Sequence, residues 1–240
     1  MNATSQTDKG RVLVVLAHPD DPEFYCGGTV ARWAAEGREV VYCLLTKGDK
    51  GADDSGTDPV AMAHTRQAEQ LAAAAVLGVH QVEFLEHEDG YLVADLSLRR
   101  EITGVIRRFR PQVVVTCDPT NFFPNSQYIN HPDHRAAGQA TLDAVFPAAG
   151  SGMFFPELER EQGLQPHKVH QVFVAGALHP NTAVDVTEFV ERKIAALREH
   201  RSQIGDMEGL DERIRTWLRD PQSPPDAPRF IERFQRIDLG

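Results

Sequence analysis

Long apolar runs are missing from this 240-residue chain. No stretch approaches the roughly 20 residues needed to cross a bilayer, and the opening MNATSQTDKGR lacks the apolar segment of a secretory signal. Basic side chains are in deficit: 25 Lys and Arg stand against 35 Asp and Glu, a formal net charge of −10. That argues against a general nucleic-acid binder, which needs a basic face to neutralise phosphates. Cysteine is scarce. Cys26, Cys43 and Cys117 are an odd number at wide spacing in apolar surroundings, which suggests buried thiols rather than a disulfide framework or a CxxC metal site. Repeats and low-complexity tracts are also absent. What remains is ordinary globular composition, 41% hydrophobic and 25% charged, in a length that suits one large domain. A soluble, cytoplasmic protein with no membrane span is expected.

Residues 1–10 are small and polar and read as a flexible leader. RVLVVLA (11–17) is a continuous, β-branched apolar run, as expected of a strand buried on both faces of a parallel sheet. A Gly-Gly turn precedes a helix over 29–37, closed by Gly37. EVVYCLLT (39–46) is a second strand, and a polar loop at 47–58 leads to a helix from Pro59 to Leu77, where proline suits the first turn. QVEFLE (81–86) gives a third strand, Asp95 caps a helix over 96–109, and QVVVTC (112–117) gives a fourth. Such alternation implies a doubly wound, mostly parallel α/β sheet with helices on both faces. Later come a helix at 134–146, strands at 170–177 and 182–186, a helix at 187–200, and two amphipathic segments at 203–219 and 229–237. The expected organisation is a domain over 11–202 and a C-terminal helical extension, 203–240, packed on the body or on a neighbouring subunit. Trp217, Phe230 and Phe234 read as packing residues.

The chemistry concentrates in two places. Directly after the first strand stands Ala17-His18-Pro19-Asp20-Asp21, where open parallel sheets build their sites. His18 and Asp21 lie three apart around a stiff proline and can turn to one point, leaving Asp20 beside it. A lone Asp there would read as a helix cap. Asn130-His131-Pro132-Asp133-His134 repeats the pattern after the fourth strand, and the ends of strands one and four can approach each other in a doubly wound sheet. Two histidines and one carboxylate form a common catalytic-metal ligand set, acceptable to zinc and to non-haem iron. One aspartate then remains as general base, and one His–Asp pair as an oriented electrophile or acid.

These motifs make the chain resemble the LmbE-like, or PIG-L, family of zinc-dependent de-N-acetylases. The resemblance runs through AHPDDPEFYCGGT, the RQAE segment at 66–69, VVVTCDP (113–119), NHPDHRAAGQA (130–140) and KIAALREHRSQ (193–203). It implies a divalent metal, zinc or in its place iron, held by His18, Asp21 and His134. It further implies that Asp20 is the general base and that His131, oriented by Asp133 and favoured as imidazolium, stabilises the oxyanion and helps protonate the amine. Arg66 resembles a substrate-binding arginine, with a salt bridge to Glu69 as the alternative; Asn130 and Tyr128 join it as candidate substrate contacts. Glu23 follows at HPDDxE spacing and is expected near the metal or in a second shell.

The resemblance implies hydrolysis of the N-acetyl group of an N-acetylglucosamine derivative, a small-molecule acylated amino sugar, by a homo-oligomer, trimeric or hexameric. Loops at 47–58, 87–94 and 118–130 are expected to wall the pocket. Rival readings are an amidase on a larger amide, a non-catalytic metal or sugar binder, and a non-haem iron oxygenase. The free carboxylate at Asp20 argues against mere binding, and the whole-motif match against the oxygenase.

Overall fold

Arg11–Leu16 (β1) lies at the centre of the sheet because five of its six side chains are apolar and fully buried. A strand covered on both faces has no polar side to present. The remaining strands are Glu39–Thr46 (β2), Gln81–His87 (β3), Val113–Cys117 (β4), Gln171–Ala175 (β5), Thr182–Asp185 (β6) and Ile231–Asp238 (β7). They form one seven-stranded sheet in the order β3-β2-β1-β4-β5-β7-β6. β1 to β5 run parallel, and β7 pairs antiparallel with both β5 and β6. The computed structural model describes residues 10–205 and 207–240. The expected leader falls outside them except for Gly10.

Alternate side chains of β1 feed two cores, which is why the sheet is doubly wound. Leu13 and Val15 pack with Ile102 and Ile106 of the helix Leu96–Phe109 (α3) and with Ala137 and Ala140 of Pro132–Asp143 (α4). Val12, Val14 and Leu16 point the other way, towards Val30 of Asp21–Ala35 (α1), Leu77 of Pro59–Leu77 (α2) and Ala196 of Val190–Leu197 (α6). A short helix, Pro156–Arg160 (α5), follows α4. A third cluster joins α6 to Leu210–Leu218 (α7) through Ile194, Leu197, Leu210, Ile214 and Leu218. Helix ends follow the capping chemistry: the Asp58 carboxylate accepts from Val60 N–H ahead of Pro59, and Asp95 accepts from Leu98 N–H. Each cap is worth about 1 kcal/mol.

The structure departs from the sequence reading in three places. α1 begins at Asp21, and Gly27-Gly28 lies inside it after a kink at Cys26 (φ −147°, ψ 17°), so the glycine pair is no turn. Its purpose is close packing: a Cβ on Gly28 would stand 2.8 Å from Val186. The segment 229–237, read as part of a helical extension, is instead mostly β7, inserted between β5 and β6. A boundary at 202 therefore cuts through one sheet. The helix expected over 187–200 is also shorter, a 3₁₀ turn at Thr187–Phe189 followed by α6.

Candidate active site

Strand order reverses between β1 and β4, and the chain leaving each strand turns to opposite sides, opening a crevice at their carboxyl ends. His18 leaves β1 into this crevice, and the first turn of α4 brings His131 and His134 to it. The His18 ring stands 4.6 Å from His131 and 5.2 Å from His134, centre to centre. α4 can come this close because of Gly138, where a Cβ would lie 2.3 Å from the Cys117 carbonyl oxygen. The alanine-rich run around it thus lets the second motif reach the end of β4.

The hydrogen bonds fix which ring nitrogens are free. His18 Nε2 lies 3.0 Å from Asp89 Oδ1 and 3.2 Å from Asp133 Oδ2. Both carboxylates are held below the usual range: burial opposes this, but contact with His18 outweighs it. Ionised oxygens only accept, so Nε2 carries a proton, and Nδ1 is the nitrogen left for a cation to claim. His134 Nδ1 lies 3.1 Å from Asn130 Oδ1, while Asn130 Nδ2 donates to the Asn121 carbonyl at 2.8 Å and so sets the amide's orientation. Tyr25 Oη adds a contact to the same Nδ1 at 3.0 Å. His134 Nε2 therefore presents its lone pair.

Both free nitrogens face one carboxylate. Asp21 Oδ2 lies 3.5 Å from His18 Nδ1, and Asp21 Oδ1 lies 3.0 Å from His134 Nε2. Burial works against the Asp21 anion, yet the two histidines hold its carboxyl well below the ordinary range. Burial alone would lower His18, but Asp133, Asp21 and Asp89 raise it well above 6.5. The same surroundings that attract a proton attract a cation. Two imidazole lone pairs and one carboxylate converging on a point suit zinc or another divalent metal, with carboxylates behind His18 in the supporting position that metal-bound histidines commonly have. His18, His131 and His134 also lie close enough together to hold an ion.

Asp20 occupies the adjoining position with φ of +91°, an unusual backbone conformation for a residue with a Cβ. Its N–H donates to Gln70 Oε1 at 2.8 Å, and Arg66 Nη2 reaches both the Pro19 carbonyl (2.7 Å) and Asp20 Oδ2 (3.3 Å). Burial and the neighbouring Asp21 lift its carboxyl to about 6, against the pull of Arg66. His131 differs from expectation. The Asp133 carboxylate is used by His18 and by the N–H groups of Gly90 and Leu92, and what reaches His131 is the Asp133 backbone N–H, 3.2 Å from Nδ1. Burial, His18 and His134 all press His131 below its ordinary value. These surroundings favour the neutral ring over the expected imidazolium, with Nδ1 accepting from the Asp133 N–H and Nε2 left to carry the proton.

Two expected substrate contacts have other employment. Arg66 is buried, and its guanidinium is spent on Gly48, Pro19 and Asp20; Glu69 pairs with Ser202 instead. Both ends of the Asn130 amide are used internally. Tyr128 remains half-exposed on the wall of a cavity of about 880 Å³ that also exposes His18, Asp20, Asp21 and His134. Sequence reasoning did not single out Asp89, Tyr25 or Gln70, since an Asp in a polar loop and a Gln on a helix carry no periodic signal. Glu23 is fully buried and joins Gln70 to His200 Nε2 (3.1 Å) rather than reaching the ligands. Phe230 and Phe234 are packed as expected, but Trp217 is 55% exposed and lines the cavity.

His18, Asp21 and His134 thus meet at the switch point of a doubly wound sheet, with the Asp20 carboxylate at their side, an arrangement of donors suited to metal-assisted hydrolysis. The chain belongs to the GlcNAc-PI de-N-acetylase (PIG-L) family, whose pattern it matches over residues 13–145. It is 36% identical over 199 residues to the diacetylchitobiose deacetylase of Thermococcus kodakarensis, covering 82% of this chain and 71% of that one. Similarity extends to the 1D-myo-inositol 2-acetamido-2-deoxy-alpha-D-glucopyranoside deacetylase of Kineococcus radiotolerans, 29% identical over 256 residues, with 81% and 69% covered. Among solved structures, N,N'-diacetylchitobiose deacetylase from Pyrococcus horikoshii, complexed with its inhibitor, superposes with a TM-score of 0.84 at 28% identity, covering 98% of this chain and 87% of that one.

Proposed function

We propose that the protein removes the N-acetyl group from an N-acetylglucosamine-type sugar, releasing acetate and a free amine, with zinc held by His18, Asp21 and His134. The observation that carries this reading is the convergence of His18 Nδ1 and His134 Nε2 on the Asp21 carboxylate, with Asp20 beside them. Family membership and relatives named for deacetylation of acetylated amino sugars support it. When bound, the metal supplies Lewis acidity, which makes water more acidic and polarises an amide carbonyl.

The chain's own residues account for the proton traffic. Asp20 accepts a proton from the attacking water, and its raised value keeps it basic enough to do so and acidic enough to give the proton up. His131 Nε2–H donates to the amide oxygen as negative charge develops there. Asp20 returns the proton to the leaving nitrogen as the C–N bond breaks, so water is divided between acetate and amine. Asp133 and Asp89 orient His18, Asn130 and Tyr25 orient His134, and Arg66 and Gln70 hold Asp20.

A cytoplasmic location and a homo-oligomer, trimeric or hexameric, complete the proposal. Three buried, unpaired cysteines suit a reducing compartment, and among the described residues no helix is long and apolar enough to cross a membrane. Phe146 and Met153, 73% and 87% exposed, supply apolar surface that a second subunit would cover.

Metal analysis paired with acetate release from N-acetylglucosamine derivatives tests the central reading. The expected result is about one zinc per chain and loss of turnover in Asp20→Ala with the metal retained. Bound metal without acetate release from any derivative would sink it, and light scattering at the monomer mass would sink the oligomer.

A further inference from the structure

We propose that His200 is a positioning residue for the reaction: it holds Glu23, Glu23 turns the Gln70 amide, and that amide fixes the backbone of Asp20. The proposal rests on the de-N-acetylase reading for what Asp20 does, but the linkage is read from side chains that lie behind the cavity wall. Glu23 comes from α1, Gln70 from α2 and His200 from the segment after α6. All three are fully buried, and none of them lines the cavity.

The linkage has one direction because a carboxylate only accepts. His200 Nε2 lies 3.1 Å from Glu23 Oε2 and so donates to it. Gln70 Nε2 donates to the two Glu23 oxygens at 3.0 and 3.1 Å, which leaves Gln70 Oε1 to face the Asp20 N–H at 2.8 Å. The reversed amide would set an oxygen against a carboxylate and a second donor against the Asp20 N–H. Asp20 needs this hold, because a φ of +91° is unfavourable for a residue with a Cβ.

Packing alone does not account for His200. Its Nδ1 is buried with no hydrogen-bond partner among the described residues, a state that costs stability and that a residue kept only to fill space has no reason to carry. The segment that bears it is fastened at two points. Ser202 N–H and Oγ donate to Glu69, the neighbour of Gln70 on α2, at 2.8 and 2.6 Å, and Gln203 Nε2 donates to the Gly51 carbonyl at 3.0 Å. His200 thus reaches Glu23, 177 residues away in sequence, from a frame already tied to α2 and to the 47–58 loop.

The experiment measures acetate release from an N-acetylglucosamine derivative by the zinc-loaded protein, using wild type, His200→Leu, His200→Gln, Gln70→Ala and the double variant His200→Leu with Gln70→Ala. The expected result is a kcat about tenfold below wild type in His200→Leu, the lower end of what supporting residues behind a metal site are worth. KM and zinc content should stay near wild type. His200→Gln, whose side-chain amide can donate in place of the ring nitrogen, should recover most of the loss. With Gln70 already replaced, His200→Leu should cost little further, because the two residues act along one path. An equal fall in both backgrounds, a loss of zinc, or no fall at all overturns the assignment.

A second readout stands apart from turnover. Exchange of the Asp20 amide proton, followed by NMR, should run about fivefold faster in His200→Leu, the worth of one hydrogen bond, while the buried amides of β1 keep their wild-type rates. Should His200→Leu fail to fold, His200→Asn, whose shorter amide stops short of Glu23, carries the same expectation. Unchanged exchange at Asp20, or an equal acceleration throughout β1, overturns the linkage even where activity is lost. Faster exchange at Asp20 in a protein that deacetylates no sugar leaves the linkage standing and fails the deacetylase reading.

Discussion

Gln70 Oε1 accepts the backbone N–H of Asp20 at 2.8 Å, while the Gln70 amide donates to Glu23 at 3.0 and 3.1 Å. One side chain on α2 thus fastens the strained residue after β1 to a buried carboxylate on α1. Gln70 is itself fully buried, so its polar atoms have no water to fall back on.

Removing that link should loosen Asp20 without touching the ligands. Gln70→Ala is expected to lower kcat about 100-fold, as a misplacement of about 1 Å does. KM and metal content should stay near wild type. Steady-state kinetics with metal analysis on the same preparation checks this; loss of metal along with activity would mean that Gln70 supports the whole site.

If His18 binds the proposed metal, the carboxylates behind it act on that metal at one remove. Asp89→Asn and Asp133→Asn should each weaken metal affinity about 10- to 100-fold, whereas Asp21→Ala should abolish stoichiometric binding. Competition with a chromophoric chelator measures all three, and an unchanged affinity in Asp133→Asn would remove its orienting role.

Lys193 and Glu232 form a fully buried ion pair, and Glu232 also accepts the N–H groups of Gly28 and Thr29 at 2.9 and 2.7 Å. Taking away one partner leaves an uncompensated buried charge, at a cost of about 3–5 kcal/mol. For a chain of this size Glu232→Gln should then lower Tm by about 6–20 °C. Calorimetry decides, and a shift of under about 2 °C would show the pair to be replaceable.

His200 gives stability a pH dependence of known sign. Burial lowers its pKa, but the bond to Glu23 and the charges of Glu23, Asp20 and Glu69 outweigh burial and raise it. A raised folded value means that the contribution is fully present below about pH 6.5 and is lost as pH rises through the folded value. The advantage of wild type over His200→Gln in urea midpoint should therefore shrink from pH 6 towards pH 9. A constant or growing advantage would contradict the assignment.

The features legible in the sequence were those with a local cause. β1 and β2 declare themselves by unbroken apolar runs, α2 by the proline in its first turn, and the meeting of His18, Asp21 and His134 by two motifs whose ends the sheet topology joins. The start of α1 was hidden because Gly27-Gly28 read as a turn, while the helix resumes after Cys26 with two of its N–H groups donating to Glu232, more than 200 residues away. β7 was hidden by that same glutamate. Glu232 and Phe234 point inward and Arg233 outward, a period of two that a buried charge disguises as amphipathic helix. Asp89, Gln70 and His200 are polar residues buried by tertiary contact, and nothing near them in sequence foretells it.

The placement of β7 between β5 and β6 also sets an order of assembly. β5 can join β4 as soon as both exist, but β6 has no partner until Ile231–Asp238 arrives, and the antiparallel ladder then closes on both sides at once. Until that moment β5 offers an unpaired edge, the kind of surface on which chains pair with one another. Arrival of β7 also delivers Glu232 to α1. The strand that seals the sheet is therefore also the one that fastens the helix carrying Asp21 and Tyr25.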